Sequence, residues 1–278
     1  MSSFFRKLIL LSLALLVPLL AMAGEGRIPI YDKTFIAAPG KYVVTQNITP
    51  PVCGPPVIFV AVSDVDLDLN GFVLTACEGD AVIKVNGVDN VTIRNGTLKA
   101  GNWGIQALGV ATGSHKLIVE DVKILNNASY GISMEQFSDF VLQRNSISGI
   151  TGAGGQGIYI NGGGGGRISE NVIQRTAASG IHLAASNDNL LLHNVVSATG
   201  LDGLLIDGQR NQITWNLLNA NGGYGLHFSA ASGLNTFGKN TARGNPGGVC
   251  LGGGATTDYC NEGAGNSSFN DNFLPGLF

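Results

Sequence analysis

Histidine is rare in this chain, four in 278 residues, and two of the four stand in the same local frame. Residues 180–183 read Gly-Ile-His-Leu, and residues 225–228 read Gly-Leu-His-Phe. Each histidine lies two positions after a glycine, between two apolar residues. An imidazole exchanges protons near neutral pH, so the question is what else shares this slot. Aligning the frame along the chain gives Gln106, Ser133, Tyr159, His182, Leu205, His227 and Cys250 two positions after a glycine, and Glu135, Asn161, Ala184, Asp207 and Ser229 four positions after. Residues two and four apart share one face of a strand. Tyr159, His182, Asp207 and His227 are the acid–base candidates, and Ser133, Glu135 and Asn161 the candidates for holding a substrate.

Such a set suits removal of a proton beside a sugar carboxylate, with an acid on the leaving oxygen or on the opposite face of the ring. It does not suit glycoside hydrolysis by Glu135 and Asp207. Three rungs of a sheet put them ~14 Å apart, beyond both glycosidase geometries, of which the wider is ~6.5–9.5 Å. Neither column carries Lys or Arg against a substrate carboxylate, a role that calcium could take. The columns also have a simpler reading, because strand faces that meet water are polar whether or not they react.

The slots mean something only if a repeat positions them. The glycine frame recurs at 104, 131, 157, 180, 203, 225 and 248, every 22 to 27 residues. A second beat follows it: an apolar residue, two variable residues, then Asn145, Asn171, Asn194, Asn216 or Asn240. The strand pieces are four or five residues long and alternate strictly. A short strand cannot bury its apolar face alone, but stacked repeats can. The expectation is an all-β, single-stranded right-handed parallel β-helix. It should have about eight or nine coils over residues 57–251, a rod of roughly 40 Å. Stacked asparagines would line one corner, and glycines at the others would supply the positive φ of sharp bends.

The ends read differently. Arg6 and Lys7, the apolar run 8–20 and Ala21-Met22-Ala23 predict a cleaved secretory signal peptide over 1–23. Residues 24–56 then form an N-terminal cap and 252–278 a C-terminal cap. Export fits four cysteines in an even count. Cys53 and Cys77 occupy equivalent places on adjacent coils and should pair, and Cys250 and Cys260 could close the other end. Metal binding is the alternative, although spacings of 24 and 10 match no compact zinc pattern. With 19 acidic residues against 16 basic ones, nucleic acid is disfavoured as a partner. No stretch beyond the leader is long and apolar enough to span a bilayer.

The Gly-[Ile/Leu]-x-[Leu/Ile] strand with its apolar-x-x-Asn corner resembles the parallel β-helix repeats of the pectate-lyase-like superfamily, as does "PGKYVVTQNIT…DVDLDLNGFVLT" at residues 39–75. The resemblance implies a periplasmic or secreted protein with a polysaccharide partner, through lyase, hydrolase or uronan-epimerase chemistry. The superfamily also includes periplasmic proteins with a copper-related role. The Asp-Pro-His-Asp motif of mannuronan epimerases and the polygalacturonase motifs are absent, so no catalytic residue carries over. A non-catalytic rod for adhesion or envelope structure is the alternative. Three carboxylates on one outward face, Asp64, Asp66 and Asp68, fit either a calcium site or a solubilising edge. The sequence leaves the oligomeric state open.

Overall fold

The structure, a computed structural model, describes residues 26–110, 114–251, 258–268 and 272. The predicted signal peptide and most of the predicted C-terminal cap lie outside these residues. Among the described residues there is no helix, hence none long and apolar enough to cross a membrane. Every strand pairing is parallel, from Arg27–Ile30 on Gly40–Val44 to Leu226–Phe228 on Tyr259–Asn261. The chain is a right-handed parallel β-helix.

One wall of the tube is a ten-stranded sheet. Its strands are Thr34–Ile36, Ile58–Val60, Ala81–Asn86, Trp103–Leu108, Tyr130–Glu135, Gln156–Asn161, Ile181–Ala184, Leu204–Ile206, Leu226–Phe228 and Tyr259–Asn261. Ser114–His115 pairs with Phe137–Ser138 as a separate two-stranded sheet, and a seventeen-stranded sheet folds around the asparagine corner. Val141–Gln143 turns there into Ser146–Ile150, and Leu190–Leu192 into Val195–Ser197. The alternation seen in the sequence sorts the side chains. Ile132, Ile158, Ile181, Leu204 and Leu226 stack in register and are fully buried. Each coil therefore offers its neighbours a matching apolar layer, and the core is one continuous column.

The asparagine corner is a hydrogen-bonded ladder. Asn145, Asn171, Asn194, Asn216 and Asn240 each donate from Nδ2 to Oδ1 of the next, at 2.9–3.1 Å, ending on Asn272. Each Oδ1 also accepts the preceding asparagine's backbone N–H. Two shorter ladders, which the sequence reading does not identify, run through Asn189, Asn211, Asn235 and Asn266 and through Asn221, Asn245 and Asp258. They meet the requirement that buried polar groups be paired.

Three expectations need correction. The winding starts before residue 57, because Arg27–Ile30, Thr34–Ile36 and Gly40–Val44 already pair with the coils that follow. Glycines at other bends do supply positive φ, among them Gly87, Gly101 and Gly149, but the glycines of the repeat frame do not. A Cβ on Gly131 would meet Ile147 Cγ2 at 2.5 Å and the Gly157 carbonyl at 2.6 Å, so the requirement there is close approach of two coils. At the asparagine corner positive φ falls on the residue before each ladder asparagine: Arg144, Glu170, His193, Trp215 and Lys239. The aspartates of "DVDLDL" do not form a free acidic face. Arg94 pairs with Asp66 at 3.1 Å, and Arg27 reaches Asp68, which is buried.

Both expected disulfides are present, Cys53–Cys77 and Cys250–Cys260. They are compatible with export to an oxidising compartment.

Candidate functional site

The outward column of the ten-stranded wall is continuous. In register it reads Phe35, Phe59, Lys84, Gln106, Ser133, Tyr159, His182, Leu205, His227 and Cys260. Tyr159, His182 and His227 thus occupy the places that the repeat predicts. Ser133 does too, but it is only 3% exposed. Its short side chain lies between Gln106 and Tyr159, so it is corrected from a substrate contact to a covered spacer. Cys250 does not take the last slot. Residues 249–251 form no strand, and Cys260 instead pairs with His227.

The wall divides its chemistry between two His–Asp pairs, and one coil supplies both carboxylates. Residues 202–207 read Asp-Gly-Leu-Leu-Ile-Asp. Asp207 bonds His182 on the preceding coil, Nε2 to Oδ2 at 2.6 Å, and Asp202 bonds His227 on the following coil, Nδ1 to Oδ2 at 2.9 Å. Leu205 stands between the two rings in the column. The rung order places Asp207 next to His227, yet the hydrogen bond of Asp207 goes the other way.

Around the first pair the aromatic rings follow one another. Tyr130 stacks on Tyr159 with centroids 5.3 Å apart, and Tyr159 meets the His182 ring at 5.3 Å. Glu135 and Asn161 are exposed at the end of their strands, in register with each other. Burial pushes the Tyr159 phenol above its ordinary value, and the Glu135 and Asp207 carboxylates add to the shift. Tyr159 therefore keeps its proton at neutral pH. Burial works against the Asp207 carboxylate, but hydrogen bonds from His182 and Ser229 outweigh it and hold its pKa below the usual range. With Nε2 toward Asp207, the other ring nitrogen of His182 is buried without a hydrogen-bond partner among the described residues. The hydrogen bond that one ring nitrogen makes to a carboxylate also sets which nitrogen carries the proton.

Around the second pair the surroundings differ. Tyr224 packs on the His227 ring at 5.2 Å, and its backbone N–H donates to Asp202 Oδ1 at 2.7 Å. Burial disfavours a charged His227, but the Asp202 hydrogen bond, with Glu262 and Asp207 nearby, raises its pKa overall. The repeat reading misses Asp202, Tyr224 and Tyr130 because each precedes its glycine by one. Strict alternation turns that position inward. At the glycine, however, the strand bends against the next coil, and the side chain before it reaches the outer face. The signal was available as the column Trp103, Tyr130, Gln156, Ser179, Asp202 and Tyr224. Lys84, three rungs from Tyr159 in the same column, is the cation that a count beginning at Gln106 leaves out.

Other sequence features carry less. His115 faces Asp139 at 3.4 Å on the exposed surface, and His193 packs beside Trp215 at a different corner. The glycine run 162–166 is a tightly stacked turn. Gly164 bridges Ser138 on one side and Asn187 on the other, and four of its glycines have positive φ.

The family model described as right handed beta helix region matches residues 75–154 and 112–273. Among solved structures, the chain is similar to the periplasmic alginate epimerase AlgG. The TM-score is 0.54 at 13% identity, covering 88% of this chain and 76% of that one. A mutant of the same enzyme gives 0.51 at 13% identity over 89% and 81%. Tailspike protein 3 of bacteriophage CBA120 gives 0.53 at 12% identity, over 91% of this chain and 52% of that one. No curated protein matches the sequence. At such identities the likeness is one of fold.

Proposed function

The chain belongs to the right-handed β-helix family, and from that premise we propose that it binds a polysaccharide along the outer face of the ten-stranded wall and moves a proton on it at His182. The observation that carries this reading is the run Tyr159–His182–Asp207 on three consecutive coils, closed by the 2.6 Å bond between His182 and Asp207. Exposed Glu135 and Asn161, with the Tyr130–Tyr159 stack, offer polar and ring contacts to a sugar chain. Asp207 positions the imidazole, His182 takes a proton from the carbon beside a sugar carboxylate, and protonated Tyr159 returns one. Return to the leaving oxygen gives elimination, and return to the opposite face of the ring gives epimerisation. His227 lies two rungs, ~10 Å, from His182 and is left out of the assignment. The likeness to a structure titled as an alginate epimerase supports this class of substrate. The predicted leader and the two disulfides support a periplasmic or extracellular location.

One observation favours a second reading. Glu135, Asp202, Asp207 and Glu262 make the face acidic, with Lys84 as its one cation among the described residues of the central column. An acidic face suits an uncharged glycan held by a non-catalytic rod. A panel of uronans and neutral glycans, with and without calcium, decides between the two. New double bonds are read by ultraviolet absorbance, and inverted centres by NMR. The proposal expects turnover on a uronan that H182A and Y159F each reduce by about a hundredfold or more. Binding to a neutral glycan without any turnover overturns it in favour of the rod.

A further inference from the structure

The C-terminal end of the ten-stranded wall assembles donors that the proton-transfer reading does not use. His227 lies in register with Cys260, and Glu262 follows two residues along, its N–H bonded to the Phe228 carbonyl. A ring nitrogen of His227, Cys260 Sγ and a Glu262 carboxylate oxygen all lie within 4.8 Å of one another. The His227 ring is already oriented, since Nδ1 is held by Asp202 at 2.9 Å. Its Nε2 is buried with no hydrogen-bond partner among the described residues. A carboxylate on one nitrogen, with the other turned to a ligand cluster, is how metal-binding histidines are commonly fixed. Glu262 is steadied as well, because its Oε1 accepts from the Leu251 N–H at 2.8 Å. The fourth donor is the other half of the disulfide, Cys250.

We propose that the Cys250–Cys260 disulfide closes a latent site for a divalent transition metal, with Cys250, Cys260, His227 and Glu262 as its ligands. Reduction opens the site. A dithiol attacks one sulfur, its second thiol resolves the mixed disulfide, and the reductant leaves as a cyclic disulfide. The two electrons thus transferred leave two thiols on the protein. Metal binding then releases their two protons to solvent. Two thiolates, one imidazole and one carboxylate form a four-donor set of the kind zinc takes in tetrahedral sites. The sulfurs exclude calcium, which binds oxygen. The cysteine spacing alone gives no hint of this, because the fold and not the spacing brings His227 to Cys260.

The test treats the exported form of the full chain with a dithiol, removes the reductant under anaerobic conditions and titrates with Co²⁺. The proposal expects one equivalent of Co²⁺ bound with thiolate-to-cobalt charge-transfer absorption, displaced by Zn²⁺, and no such absorption in the untreated protein. A C250S/C260S variant, which keeps Cys53 and Cys77, should show none after the same treatment. H227Q and E262Q should each weaken binding by about tenfold or more, with circular dichroism confirming that the sheet remains. The proposal fails if reduced protein binds no Co²⁺, if C250S/C260S binds as well as the parent, or if both single variants bind with unchanged affinity.

Discussion

The two His–Asp pairs are built from one coil and yet are not equivalent. Asp207 reaches back to His182, where the neighbours are the rings of Tyr159 and Tyr130 and the exposed ends of two strands. Asp202 reaches forward to His227, where the neighbours are Tyr224, a disulfide and Glu262. The same pair of side chains thus sits once on an open aromatic strip and once in a corner of soft donors. The rungs supply identical spacing, and the residues one step away decide what the imidazole can meet.

Substituting each carboxylate is the strongest way to break the comparison. D207N should lower turnover by about a hundredfold, while D202N should stay within about threefold and instead weaken Co²⁺ binding by the reduced protein by about tenfold. Initial rates and cobalt titrations on both variants read this. Equal losses of rate would merge the pairs into one site. Next comes a backbone test specific to the second pair. A Cβ on Gly223 would collide with Asp202 Oδ1, so G223A should cost about 1–3 kcal/mol in denaturant unfolding; an unchanged midpoint would mean that the Asp202 clamp is loose.

A subtler difference lies in acid. Because the native pKa of Asp207 is depressed, its contribution is present above the unfolded carboxylate value of about 3.9. It is lost as pH falls through the native value. Stability measured against pH should therefore fall less steeply in D207N than in the parent at the acid end; parallel curves would remove the Asp207 bond from the account. The smallest effect is expected away from both pairs. Arg210 and Asp188 form an exposed ion pair at 2.7 Å, and R210A should leave the denaturant midpoint close to that of the parent. A marked loss would mean that the corner, and not the wall, limits stability.

The fold was legible because two independent beats, the glycine frame and the asparagine corner, share one period. The column Tyr159–His182–His227 followed directly. Asp202 and Tyr224 did not, because alternation holds only inside a strand, and their glycines bend the chain just before it begins. Cys250 was misplaced for a related reason. Gly248 keeps the beat, but the register is taken up ten residues further on than the beat predicts, by Tyr259–Asn261. At the other end, Arg27–Ile30 and Gly40–Val44 already wind with the coils, although neither carries the glycine frame or the asparagine corner that marked the repeat.

The asparagine ladder has a direction. From Asn145 to Asn240 every side-chain amide gives one hydrogen to the next asparagine toward the C-terminal end and another to a backbone carbonyl on the N-terminal side, such as Val119 for Asn145 and Leu142 for Asn171. Along the Asn–Asn chain the bonds run head to tail, and each polarises the next. The rod is therefore an arrow. The coils ahead of Val122 lie outside this polarity, because the first acceptor of the ladder, Asn145 Oδ1, takes the Val122 N–H.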